Sequence, residues 1–181
     1  MNEIVFMGRG GQGAVVASEI LADAYFRQGN QVQAFPSFGV ERRGAPVSAF
    51  VRIDNEFIYL RSQIYQANYC LVFAANIVRL PSFHSSLKEG ATILINSAGR
   101  LDDLDSYSVS YIDAAAIAMK HNLGSSTQPI VNTAMVGAFA RVIGNLDIES
   151  LKESVRSKVP HKVEANIEAL EAAYEAVTVG E

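Results

Sequence analysis

Two clusters near the start of the 181-residue chain hold the residue types that could do chemistry. Gly8-Arg9-Gly10-Gly11-Gln12-Gly13 fits G-x-G-x-x-G between an apolar run, Ile4 to Met7, and a helically spaced stretch, Ala14 to Arg27. A strand that ends in such a turn and opens a helix can cradle phosphate on backbone N–H groups at the helix N-terminus. The second cluster, Glu41-Arg42-Arg43-Gly44, lies in a stretch from Pro36 to Pro46 that also holds Gly39. Arginine's planar fork donates two hydrogen bonds at once to a phosphate, and loops fixed by proline commonly present side chains to a ligand or partner. Each cluster has a plainer reading: glycines that let a helix pack closely on a strand, and a charged loop tip in solvent.

What the clusters lack narrows the chemistry. A dinucleotide site wants an acidic residue near the end of the second strand for the ribose hydroxyls. Here that region reads Gln31-Val-Gln-Ala-Phe-Pro36, with no carboxylate, although Arg42 or Arg43 could meet a 2′-phosphate. A Walker loop would need Lys and Ser/Thr where Ala14 and Val15 stand, so phosphoryl transfer is not expected. His84, His121 and His161 are far apart in sequence, with no second ligand at helical or turn spacing, so no metal site is expected. Cys70, the single cysteine, sits in an apolar run and reads as packing; iron–sulfur ligation and a G-x-S-x-G elbow are absent from the sequence.

The elements that must position the clusters are legible from periodicity. Strands are expected over Ile4 to Met7, Val32 to Phe35, Tyr69 to Phe73 and Ala91 to Ile95, with an edge strand over Ser108 to Ile112. Asp54-Asn55 between Val47 to Ile53 and Glu56 to Leu60 predicts a two-residue hairpin. Helices are expected over Ala14 to Arg27, Ala114 to His121, Asn132 to Ile143, Ile148 to Lys158 and Val163 to Val177. The helix from Asn132 is apolar nearly all round and must be buried, in the core or under another chain. The stretch from Pro36 to Pro46 reads as a long loop, since its prolines bar a helix or a central strand. The whole predicts an α/β chain: one three-layer α/β/α domain over residues 1–181, a mostly parallel sheet with an antiparallel hairpin portion, and a helical C-terminal third.

Composition bounds the partners. At this length roughly 70% of the unfolded chain's surface can be buried, enough for one core without disulfides or metal. The formal net charge of −4 argues against nucleic acid, and no apolar run approaches the ~20 residues that span a bilayer. A first half with nine basic and seven acidic groups, against six and twelve in the rest, makes the first half the expected host for an anion. The N-terminus lacks the pattern of a signal peptide, so a cytoplasmic protein is expected.

Taken together, Gly8 to Gly13, Phe35-Pro-Ser-Phe-Gly-Val-Glu-Arg-Arg-Gly-Ala-Pro-Val47 and Asn132-Thr-Ala-Met-Val-Gly-Ala-Phe139 resemble, in order, the γ subunits of 2-oxoacid:ferredoxin oxidoreductases, closest to the pyruvate (pyruvate synthase) type. The resemblance implies one piece of an enzyme that oxidatively decarboxylates a 2-oxoacid, joins the acyl group to coenzyme A and passes electrons to ferredoxin. It implies that α-, β- and δ-type subunits hold thiamine diphosphate, Mg²⁺ and [4Fe-4S] clusters, and that this chain is inactive alone, a homo-oligomer being one state for it when isolated. It assigns coenzyme A to Arg42 and Arg43, with Gly10, Gly11 and Gly13 contributing backbone. Gln12, Glu41 and Asn132 are weaker transfers, which could instead hold loops or a subunit interface. The competing classes are a free-standing NADP- or flavin-binding oxidoreductase, with the glycine turn on pyrophosphate, and a non-catalytic assembly module.

Overall fold

A computed structural model of the chain describes residues 1–37 and 46–180. Six strands, β1 (Asn2–Arg9), β2 (Gln31–Ser37), β3 (Pro46–Asp54), β4 (Ala67–Val72), β5 (Leu87–Asn96) and β6 (Ser108–Ile112), form one sheet in the order β2-β3-β1-β4-β5-β6. β1, β4, β5 and β6 run parallel, while β3 is antiparallel to both β1 and β2. A further pair of two-residue strands, β7 (Gly124–Ser125) and β8 (Gln128–Pro129), stands apart.

Alternation along the strands divides the core into two. Ile4, Phe6, Val51 and Leu71 face one side with helices α1 (Ala14–Arg27), α3 (Ala114–Lys120), α4 (Asn132–Ile143), α5 (Ile148–Lys158) and α6 (Val163–Ala176). Val5, Phe50, Cys70, Ile93 and Ile95 face the other, under a thinner cover made by a 3₁₀ turn (Ala75–Arg79), the short helix α2 (Pro81–Ser85) and irregular segments carrying Ile64 and Leu104. The two-sided burial explains why Cys70 to Phe73 reads as an unbroken apolar run. Every residue of α4 from Asn132 to Ala140 is buried, as its composition requires. At Gly137 α6 comes close: a Cβ there would lie inside contact distance of the Leu170 backbone.

Two sequence expectations change: the loop expected from Pro36 to Pro46 is shorter, since β2 runs through Ser37 and β3 starts at Pro46, and the expected hairpin fails. Residues Glu56 to Leu60 are not a strand and form no hairpin with β3, because both edges of β3 are already paired, Asn2 with Ile53 on one side and Val32 with Ile53 on the other. The prolines sit where strands tolerate them: Pro36 on the edge strand β2 and Pro46 at the first residue of β3. The opposite edge, β6, is closed by the C-terminal segment, where Thr178 exchanges both backbone hydrogen bonds with Tyr111.

Candidate functional site

From β1 the chain crosses by α1 to β2 on one side, whereas β4, β5 and β6 build outward on the other. The order of the sheet therefore reverses between β1 and β4, and the crevice beyond the carboxyl ends of those strands is where open α/β sheets receive ligands. The glycine turn lies at this edge. So do Ser37 and Pro46, since Ser37 pairs with Ser48 and Pro46 with Arg9. Glu41, Arg42 and Arg43 lie outside the described residues; of the two residues that flank their segment, Pro46 pairs with Arg9 of the glycine turn and Ser37 ends the edge strand β2 at the same end of the sheet.

The glycines divide by task. Gly8 is buried, and a Cβ on it would press on Cβ of Phe73 at 3.3 Å and of Ala14 at 3.4 Å, so close packing accounts for it. Gly11 has φ +96° with nothing within 4 Å of its missing Cβ, a conformational need alone. Gly13 has both: φ is +83°, and a Cβ would stand 3.0 Å from Cβ of Asn132. That contact seats the start of α4 on the start of α1. Neither N-cap residue makes a side-chain cap and neither helix has an acidic residue in its first turn; at α4 the Thr133 N–H is taken by Asn132 Oδ1, so two N-termini that carry partial positive charge meet at one point. The arrangement suits an anion; a carboxylate for acid–base work is absent from Gly8 to Val16 and from Val131 to Met135.

Gln12 holds the turn. Its Oε1 accepts from Arg9 N at 2.7 Å, and its Nε2 donates to the Phe73 carbonyl at 3.2 Å. Asn132 Oδ1 accepts from Thr133 N at 2.8 Å, so that half of its amide is spoken for inside α4. Asn96, at the end of β5, was not legible as a site residue: its Nδ2 donates to the same Phe73 carbonyl at 3.0 Å and its Oδ1 accepts from Ala115 N at 3.3 Å. One carbonyl thus ties the glycine turn, β4, β5 and the start of α3 together. The available signal was a polar residue terminating the apolar run Ala91 to Ile95 at the ligand edge of the sheet.

Along the same edge, beyond β4 and β5, lies a cleft of about 510 Å³ whose lining includes Asn76, Arg79, His84, Arg100 and Asp102. Two of the histidines have partners within the fold. His121 Nδ1 meets Glu168 Oε2 at 3.1 Å, and His84 Nδ1 meets the Tyr107 hydroxyl at 3.3 Å. Cys70 is fully buried and burial pushes its thiol well above the usual range, which makes it a packing residue rather than a nucleophile or ligand. Among the described residues no group of three His, Cys, Asp or Glu is placed to hold a metal ion, and no helix is long and apolar enough to cross a membrane.

The family model for pyruvate ferredoxin/flavodoxin oxidoreductase matches residues 3–176. The chain is 48% identical over 176 residues to pyruvate synthase subunit PorC of Methanothermobacter marburgensis, with 97% of each chain covered. It is 39% identical to the common subunit gamma of the pyruvate/ketoisovalerate oxidoreductases of Pyrococcus furiosus, over the full length of both. Among solved structures, pyruvate oxidoreductase subunit PORC of Thermotoga maritima superposes with a TM-score of 0.82 at 30% identity, covering 99% of this chain and 98% of that one.

Proposed function

The chain belongs to the pyruvate ferredoxin/flavodoxin oxidoreductase family, and from that premise we propose that it is the γ-type subunit of a 2-oxoacid:ferredoxin oxidoreductase, with pyruvate as the first candidate substrate. In this reading residues 1–181 form one domain of a cytoplasmic complex, beside α-, β- and δ-type subunits, that delivers electrons to ferredoxin. Its task is to position coenzyme A. The observation that carries this is the meeting of two carboxylate-free helix N-termini at Gly13 and Asn132, on the same sheet edge as Ser37 and Pro46.

Coenzyme A carries a 3′-phosphate and a pyrophosphate. Backbone donors at Gly10, Gly11 and Gly13 and the guanidinium groups of Arg42 and Arg43 suit these groups, while Gln12, Asn96 and Asn132 hold the edge in shape. Glu41, beside the arginines in sequence, is a weaker candidate for the same group. Anchoring the nucleotide end leaves the thiol free to reach a neighbouring subunit, so the contribution is positioning. Thiamine diphosphate with Mg²⁺ supplies decarboxylation, and iron–sulfur clusters supply electron transfer, on the companion subunits. Relatives named as subunits, and the lack of a carboxylate anywhere in β2 for ribose hydroxyls, weigh against the free-standing nicotinamide or flavin enzyme.

The test is steady-state kinetics of the assembled enzyme carrying Arg42→Ala and Arg43→Ala. A charged hydrogen bond contributes about 1.5–3 kcal/mol, so the apparent KM for coenzyme A should rise at least about tenfold. Decarboxylation measured without coenzyme A should hardly change. Equal loss of both activities in an intact complex would refute a coenzyme-specific role.

A further inference from the structure

The large apolar side chains exposed on this chain are not evenly scattered. Phe57 (59% exposed), Tyr59 (83%), Leu60 (45%) and Tyr65 (74%) fall within nine consecutive residues, in a segment without regular secondary structure between β3 and β4. The rings of Phe57 and Tyr59 meet edge to face at 4.8 Å. Arg61, also exposed, lies in the same strip and makes no ion pair with a described residue.

The segment is irregular but pinned. Ile58 and Ile64 are buried. Gln33 Nε2 donates to the carbonyls of Ile58 at 3.1 Å and Leu60 at 3.0 Å. The Gln33 amide is itself oriented by Arg52, whose Nη1 donates to Gln33 Oε1 at 3.4 Å. Arg52 is 1% exposed, pairs with Glu3 Oε1 at 3.0 Å and lies 5.5 Å from the Phe35 ring centroid. Cross-strand register explains the cluster, since Arg52 stands opposite both Glu3 and Gln33. A buried arginine is costly to desolvate, and this one sits at the end of the sheet away from the glycine turn. Its consequence is to fix the strip's backbone while leaving the aromatic rings in water. The ordering that an interface normally exacts at docking is thus completed on folding.

Tyrosine, phenylalanine and arginine are the residues that dominate protein interfaces. With side chains of roughly 200 Å² each, the exposed fractions amount to roughly 500 Å² of surface. That is near the upper end of what a free monomer shows and short of the ~800 Å² a side of a stable two-body contact. A two-fold pairing centred on the strip would also set Arg61 against its own copy. Both points favour a subunit gripped at several places by something larger over a homodimer. Resting on the γ-subunit reading above, we infer that the Phe57–Tyr65 strip docks this chain onto a larger neighbouring subunit of the oxidoreductase, which meets it with an apolar face and a carboxylate opposite Arg61. The coenzyme edge, at the other end of the sheet, stays open.

The experiment is co-expression of all subunits with the tag on a companion, comparing wild type with Tyr59→Ser/Tyr65→Ser and with Arg61→Glu. Recovery of this chain should fall about tenfold or more for the double variant and severalfold for Arg61→Glu. The isolated variants should melt within a few degrees of wild type. A photoreactive phenylalanine analogue placed at Tyr59 in an otherwise native complex should crosslink to a companion, which gives a readout independent of variant stability. Undiminished recovery, or crosslinking only between copies of this chain, would overturn the inference. Either result would leave the coenzyme reading standing if Arg42→Ala/Arg43→Ala still raises the KM for coenzyme A.

Discussion

The paired variants Gly11→Ala and Gly13→Ala separate the conformational from the steric demand at the ligand edge. Both residues have positive φ, +96° and +83°, and an L-residue held there loses about 1–2 kcal/mol. Gly11→Ala should cost that and no more, because nothing lies within 4 Å of the added carbon. Gly13→Ala adds a carbon 3.0 Å from Asn132 Cβ, and α4 cannot retreat from it, being buried along its first nine residues and locked to α6 at Gly137. A few tenths of an ångström must come from the turn instead, at a further cost of about 1 kcal/mol, the lower end of overpacking. Urea unfolding of the isolated chain should show the difference at constant m, and thermal melts should place Gly13→Ala about 2–4 °C below Gly11→Ala. In the assembled enzyme Gly13→Ala should also raise the KM for coenzyme A more than Gly11→Ala does. If the two variants are equally stable, the seating of α1 on α4 through Gly13 and Asn132 is wrong.

Asn96→Leu removes a donor from the Phe73 carbonyl and an acceptor from Ala115 N; it should raise the KM for coenzyme A with kcat little changed, and Asn96→Ser should restore part of the loss. Gly137→Ala drives a methyl into the Leu170 backbone and should destabilise by about 1–3 kcal/mol or more, read by urea unfolding. The Asp23 carboxyl, which burial alone would raise, is held below its usual range by hydrogen bonds from Arg27 and Ser154. Its contribution is therefore present above the ordinary carboxylate range and lost as pH falls through the lowered folded value. Asp23→Asn should cost about 1 kcal/mol at pH 7, with the gap closing in acid. A gap that persists at pH 2 would contradict that assignment.

Much of this architecture was legible because it is local. Ala14–Arg27, Asn132–Ile143 and Ile148–Lys158 occupy the residues their periodicity predicts, each with a breaker or cap at hand: Gly13 before α1, Gly144 after α4, and Asp147, whose carboxylate accepts from Ser150 N, at the start of α5. The misread hairpin is instructive in the same terms. Phe57 out, Ile58 in and Tyr59 out imitate a strand's alternation, and Asp54-Asn55 imitates its turn, but the pairing edges of β3 belong to β1 and β2, a non-local fact. Asn96 escaped because its partner is a backbone carbonyl, which no residue type advertises. At the carboxyl edge of the sheet, sequence reading singled out the glycines and Asn132, which the fold brings into contact at Gly13; the tie through Phe73 needed the fold.

Hydrogen–deuterium exchange of the assembled enzyme with and without coenzyme A reads the positioning role at the backbone of this chain itself. Coenzyme A should slow exchange in the glycine turn, residues 9–16, and in residues 38–45 of this chain. Protection confined to the companion subunits, with both segments of this chain unchanged at saturating coenzyme A, would contradict it.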